Sequence, residues 1–311
     1  MKILRQAQHS LLIHAQHRVS IVLAFTALLS LSAMSQNMDS VQITINRLTD
    51  KIYMLEGAGG NIGVLTGSDG TVLIDDQFAA LSAKIKIALK TINDQPVKFV
   101  INTHYHEDHA NGNENFGNDG AVIVAQENSR KRMTVDQFME AIKSTQKAAP
   151  TVALPKITFK ESVTLHLNGQ TLEVFHVKNA HTDGDVIIQF KELNIFHAGD
   201  VFVRYGLPFI DVEHGGSIDG MISANKLLLS MLDDSSIVMP GHGDLAKKKD
   251  VAEFIKMMQT IRDRVYKEIT DGKTLEQINL KDPTKEFKEG MERKAFVKFV
   301  YDSLKYKAGK K

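Results

Sequence analysis

Residues 102–109 read Asn-Thr-His-Tyr-His-Glu-Asp-His, which puts His104, His106, Asp108 and His109 within six positions. Three imidazoles and a carboxylate this close together are costly to pack unless something binds them, and a metal ion is such a partner. On a tight loop His104 and His106 can turn to one ion, while Asp108 and His109, one step further on, reach a neighbouring one. Glu107, between them, is expected to face solvent. The competing reading, a solvated polar loop, leaves the clustering of ligand types unexplained. The chain has no cysteine, so it carries neither a disulfide nor a thiolate ligand, and any metal must be held by nitrogen and oxygen.

Each ion needs further ligands. His181, in Ala-His-Thr-Asp-Gly-Asp at 180–185, could complete three imidazoles on the first ion. Asp200 follows Ile-Phe-His-Ala-Gly at 195–199, where small residues let backbone approach closely, and a carboxylate there can bridge two cations. His242, in Pro-Gly-His-Gly at 240–243, is presented from a tight turn. Taken singly, each has an ordinary reading as a hydrogen-bonded residue at a strand end; together they supply the missing ligand types.

These groups must be positioned by strand ends. Apolar and polar residues alternate over 41–55, with Asn46 and Asp50 marking turns, and apolar runs follow at 64–66 and 71–75. A helix is expected over 80–89 and a short buried strand over 97–101, so the His-rich segment starts at a strand's C-terminal end, where open sheets tend to place ligands. A strand at 122–125 leads into a mainly helical connector over 127–148, with Met133, Phe138, Met139 and Ile142 as core. A second strand-rich half follows, at 163–167, 170–177, 186–190, 195–198 and 237–239, with helices over 219–232, 247–269 and 293–304. Two such halves with no low-complexity linker argue for one domain, over 41–305. A hydrophobic content of 43% is enough for its core.

Arg18 precedes an uncharged apolar run over 19–33, closed by Ala33-Met-Ser35, and residues 1–35 read as a secretory signal peptide, for a periplasmic or secreted protein. The run is shorter than the roughly 20 residues that spanning takes, which disfavours an uncleaved anchor and leaves no stable membrane span after cleavage. A start at Met34 or Met38 is the third reading. The leader holds Lys2, Arg5 and Arg18 and no acid, so removing these three bases from a net charge of +1 leaves −2. That near-neutral balance gives no electrostatic reason for a nucleic-acid partner; the partner expected is a small-molecule substrate. Nothing in the chain sets an oligomeric state.

Of the twelve histidines, the seven not assigned to metal have plainer readings. His9, His14 and His17 belong to the leader, and His166 and His176 are structural residues within strands. His197 is a buried, partnered ring or a support for the site. His214 is a weak candidate for substrate contact, as is Tyr205, in pocket loops that also offer Phe209 and Asp211.

The segment at 104–109 resembles the His-x-His-x-Asp-His signature of the metallo-β-lactamase superfamily, and Asp75, His181, Asp200 and His242 fall in the order of its other motifs, over residues 41 to about 245. The resemblance implies an α/β fold, an αββα sandwich of two mixed β-sheets flanked by helices. It also implies a dinuclear site at one edge. His104, His106 and His181 would hold one Zn2+, Asp108, His109 and His242 the other, with Asp200 bridging and Asp75 behind them orienting the loop. The implied activity is hydrolysis by a hydroxide held between the ions, oriented by Asp108, with a small ester, thioester, lactone or amide as substrate. Hydrolysis of β-lactam antibiotics is one alternative, and a metal-binding accessory protein without catalysis another. Antibiotic-degrading members usually place Cys or Ser where Asp200 stands, whereas glyoxalase II-like and related branches keep the Asp. An iron-dependent, flavin-linked branch tends to carry Glu in place of His106, which puts zinc ahead of iron; manganese stays open too.

Overall fold

Short apolar strands build the architecture in two sheets. The computed structural model describes residues 38–140 and 143–308; the leader read at 1–35 lies outside them, as does Ile142. Residues 38–41 belong to a short N-terminal unit with a 3-10 turn at Met38–Ser40, and a second unit begins at Gln42. In the second unit the first sheet holds β1 (Thr44–Arg47), β2 (Ile52–Glu56), β3 (Ile62–Leu65), β4 (Thr71–Ile74), β5 (Val97–Ile101), β6 (Val122–Gln126) and β9 (Ile157–Phe159), side by side in that order. β1 to β4 pair antiparallel; β4, β5, β6 and β9 pair parallel. The second sheet runs β10 (Ser162–Leu167), β11 (Gln170–His176), β12 (Val186–Phe190), β13 (Ile195–His197) and β14 (Ile237–Met239), antiparallel except for its last pair.

The pleat sends alternate residues to opposite faces, and both faces are buried where the sheets are covered. Ile52, Met54, Ile74, Ile101 and Val124 of the first sheet meet Leu172, Val174, Ile188, Phe190 and Met239 of the second in one apolar core. On the second sheet's outer face, Ile187, Phe196 and Val238 pack with α5 (Ile218–Met231), α6 (Lys248–Thr270) and α8 (Arg293–Ala308) through Met221, Phe254, Met258, Phe296 and Val300. The first sheet is flanked by α1 (Ser82–Ile92), which buries Ile85 and Leu89, and by α3 (Asn113–Asn118) and α4 (Glu127–Met133), which contact β5, β6 and β9. Each fully buried aliphatic or aromatic side chain contributes about 1.5–3 kcal/mol, so the two layers of core hold the strand tips rigid. The result is the αββα sandwich of two mixed sheets. No helix among the described residues is long and apolar enough to cross a membrane.

The connector over 127–148 is not the mainly helical stretch expected. α4 stops at Met133, and β7 (Gln137–Met139) and β8 (Ser144–Gln146) form a separate hairpin. The Gln137 side-chain amide donates to the carbonyls of Arg132 and Val135, at 3.0 and 3.1 Å, and so satisfies groups at the helix end. Met139 is buried and Phe138 exposed, a period of two read as a helical one. Asn46 marks no turn; it lies in β1, with its amide bonded to Glu56 across the strand pair. Two short helices, α2 (Glu107–Ala110) and α3, follow the His-rich loop, and α7 (Leu275–Lys281) was not anticipated.

Candidate metal centre

Every candidate ligand sits at or just beyond a strand tip, and backbone hydrogen bonds tie the tips together. The carbonyls of Ile101 and Val124 accept from Asp75 and Asn102, at 3.0 and 2.9 Å, so the loop after β5 leaves from between β4 and β6. Thr103 then links it to the second sheet, its carbonyl accepting from Val186 N–H at 2.9 Å. His106 stands at the N-cap of α2, and its carbonyl accepts from His109 and Ala110, at 3.1 and 2.9 Å, which carries Asp108 and His109 to the far side of the loop.

Three rings converge first. His104 Nε2 and His181 Nε2 lie 3.1 and 2.9 Å from His106 Nδ1. The opposite nitrogen of each ring is engaged, which assigns its proton. Thr103 Oγ1 donates to Asp75 Oδ2 and therefore accepts from His104 Nδ1, at 2.7 and 3.0 Å. His181 Nδ1 donates to the Phe209 carbonyl at 3.0 Å, and His106 Nε2 to Asp211 Oδ2 at 3.0 Å. Three lone pairs thus face one another with no proton between them, an arrangement that a cation at their centre satisfies. Burial, and then the neighbouring His109 and His181, lower the His104 pKa well below the usual imidazole value; burial likewise lowers that of His181.

The second cluster is charged. His109 Nε2 lies 3.2 Å from both His242 Nε2 and Asp200 Oδ1, and His242 Nε2 lies 3.1 Å from Asp108 Oδ2. His109 Nδ1 is bonded to Asp75 Oδ2 at 2.8 Å. Asp200 faces both clusters, its second oxygen 3.8 Å from His181 Nε2. Burial pushes the two imidazoles down, but Asp108 and Asp200 outweigh it and hold His109 well above, and His242 above, the usual value. Burial pushes Asp108 and Asp200 up, but the same rings draw Asp108 down to about 2 and Asp200 well below the usual carboxylate range. These imidazolium protons stand where a dication would supply the charge.

The backbone makes room for this cluster. A Cβ on Gly60 would overlap the His109 ring, and one on Gly241 would overlap Asp200 Oδ1. The Asn61 side chain donates to the carbonyls of Pro240 and Gly243, at 3.0 and 2.8 Å, and so holds the turn that presents His242. His197 donates from Nε2 to the Asn61 carbonyl at 3.0 Å, a buried and partnered ring that supports that turn.

Among the described residues, His104, His106 and His181, then His104, His109 and Asp200, then Asp108, His109 and His242 offer ligand atoms within 4.8 Å of one another. Two observations fit these residues to bound cations. The donor set is nitrogen and carboxylate oxygen only, and buried Asp200 reaches toward both clusters, its Oδ1 3.2 Å from His109 Nε2 and its Oδ2 3.8 Å from His181 Nε2. The chain therefore carries His and Asp clusters able to hold metal.

The seven candidate ligands come together, with Asp75 behind His109 and Thr103. Glu107 is half-buried rather than free in solvent. Tyr205 borders the second cluster, its ring centroid 5.7 Å from that of His242 and its hydroxyl accepting from Phe209 N–H. His214 is buried with Nδ1 2.8 Å from Asp211, so it reaches His106 only through that carboxylate. Sequence reasoning named Asp211 only as a pocket-loop residue, yet it accepts from Tyr105 Oη at 2.6 Å as well as from His106 and His214. Burial would raise its pKa, but the hydrogen bonds from His106 and His214 hold it far below the carboxylate range. Its one local sign is the cap of the 3-10 turn Val212–His214, in which its side chain accepts from His214 N–H.

Comparison with known proteins places this geometry in a family. The family model of the metallo-beta-lactamase superfamily matches residues 55–242. Metallo-beta-lactamase type 2 of Bacteroides fragilis is 23% identical over 220 residues, 66% of this chain and 81% of that protein. A linear primary-alkylsulfatase of Pseudomonas sp. is 20% identical over 255 residues, but the match spans only 48% of its length. Among solved structures, a metallo-beta-lactamase from Pontibacter korlensis superposes with a TM-score of 0.59 at 20% identity, over 70% of this chain and 99% of that one. The matched family model spans all seven clustered His and Asp residues, and the chain belongs to the metallo-β-lactamase superfamily.

Proposed function

We propose that this chain is a dinuclear zinc hydrolase that cleaves a small ester, thioester, lactone or amide. The observation that carries the reading is the convergence of three unprotonated imidazole nitrogens beside a carboxylate-rich pocket that shares Asp200 with them. His104, His106 and His181 would hold one ion and Asp108, His109 and His242 the other, with Asp200 between. Two ions there would bring the pKa of a water down to about 7 and polarise the substrate oxygen. The chain's own contribution is orientation: Thr103, Asp211 and the Phe209 carbonyl fix the three tautomers, and Asp75 fixes His109. Asp108, with its side chain 31% exposed, is the most open of the clustered carboxylates and is placed to orient the attacking water.

Hydrolysis of β-lactams is the second reading, favoured by the Bacteroides fragilis relative, most of whose length this chain covers. We also propose that the protein acts in the periplasm or outside the cell after removal of residues 1–35. The test is a panel of esters, thioesters, lactones and amides, a chromogenic cephalosporin and, because of the Pseudomonas relative, primary alkyl sulfates. Acid release that a chelator abolishes and zinc restores supports a zinc hydrolase, and the responding substrate separates the readings. A zinc-loaded chain inactive across the panel would leave the accessory-protein alternative.

A further inference from the structure

A cavity of about 1170 Å³ lies beside the metal centre, bounded by the 209–220 segment, α8 and the β7 end. It is as large as cavities that enclose drug-sized ligands. Its wall has an aromatic part: half-buried Phe209 meets Phe299, which is 7% exposed, edge to face at 5.3 Å, beside Val212 and Ala295. Phe209 also packs against His106 and His181, with ring centroids 5.8 and 5.6 Å away, so the cavity and the candidate ligands share a wall.

The charge around it is one-sided. Five carboxylates line it, Glu140, Asp211, Glu213, Asp219 and Asp302, against three bases, Arg132, Lys178 and Lys298, which pair with Asp183, Glu161 and Asp302. Glu213 lines the cavity, and its carboxylate accepts the backbone N–H of Glu140 at 3.0 Å; among the described residues no cation pairs with it. An aromatic wall and an excess of carboxylates suit a ligand with a positive charge on an apolar body, since a cation is drawn to aromatic rings and to an unmatched carboxylate. An anion would meet more carboxylates than bases there.

We propose that this cavity is a binding site for an organic cation of the quaternary-ammonium class, seated on Phe209 and Phe299 with its charge toward Glu213. The site is distinct from the metal centre and stands whether or not the hydrolase reading does.

The experiment is calorimetric titration of the folded chain, zinc-loaded and metal-free, with benzyltrimethylammonium as probe. Its neutral isostere neopentylbenzene and benzenesulfonate serve as comparators. The cation should bind saturably in both metal states and about tenfold more tightly than the isostere, and the sulfonate should not bind. Ala295→Phe, which fills the cavity from α8, should abolish binding while zinc content stays unchanged, and Glu213→Gln should weaken it about three- to tenfold. Because filling could disturb α8, Phe299→Leu should also weaken binding; that residue is in the core, so a lower melting temperature is expected, and circular dichroism checks that the protein is folded at the temperature of the titration. Cation binding that disappears on zinc loading would put the probe on the metal-site carboxylates and overturn the proposal. So would binding indifferent to Ala295→Phe and Phe299→Leu, equal binding of the sulfonate, or no binding of the cation.

Discussion

Replacing Asp211 by Ala should damage the first imidazole cluster without touching a metal ligand. The carboxylate accepts from Tyr105 Oη, His106 Nε2 and His214 Nδ1, at 2.6, 3.0 and 2.8 Å. Tyr105 is wholly buried and His106 nearly so, and their donors would be left without an acceptor. An orphaned buried donor costs about 1–3 kcal/mol, and with His214 buried as well the three should destabilise the metal-free chain by roughly 3–9 kcal/mol. His106 would also lose the partner that keeps its proton on Nε2 and its Nδ1 lone pair turned toward His104 and His181. Loss of such an orienting partner lowers metal affinity about 10–100-fold, equivalent to about 1.4–2.7 kcal/mol. The assay is zinc titration against a chromophoric chelator, with circular dichroism to confirm folding. Asp219→Ala is the control, because that carboxylate lines the same cavity but pairs with Arg262 at 3.0 Å; it should leave zinc affinity unchanged. A folded Asp211→Ala protein that binds zinc within twofold of the wild type would refute the reasoning.

Three further outcomes follow from the same geometry. Removing metal should lower the melting temperature: zinc at 100 times its dissociation constant contributes about 2.7 kcal/mol, or roughly 5–10 °C for a domain of this size, read by thermal unfolding with and without chelator. Gly60→Ala should place a methyl group on the His109 ring, costing about 1–3 kcal/mol as overpacking, and chelator titration should show the weaker zinc site lost first. Asp200→Ala should lower bound zinc from two ions toward one per chain, read by elemental analysis, because that carboxylate alone faces both clusters.

Most of the site was legible because ligand chemistry is carried by residue type. His104 to His109 stand out as side chains with no reason to cluster except a shared partner, and Asp200 and His242 lie beside small residues whose spacing signals close backbone approach. Asp211 was not legible because its partner His106 is 105 positions away and its local sequence shows only a turn cap. The fold read well where periodicity was long, as in β10 to β12 and α6. It failed over 127–148, where a few apolar residues fit both periods and Gln137 decided the helix end through side-chain bonds that no pattern reveals. α7 was legible in principle, since Thr274 and Gln277 form a capping box at its start, but seven residues give little periodicity to notice.

The most direct test is anomalous diffraction at the zinc edge from crystals of the zinc-equilibrated protein. The account predicts two peaks, one bonded to His104 Nε2, His106 Nδ1 and His181 Nε2, and the other to Asp108, His109 and His242. A single peak, or zinc seated away from these six side chains, would contradict it.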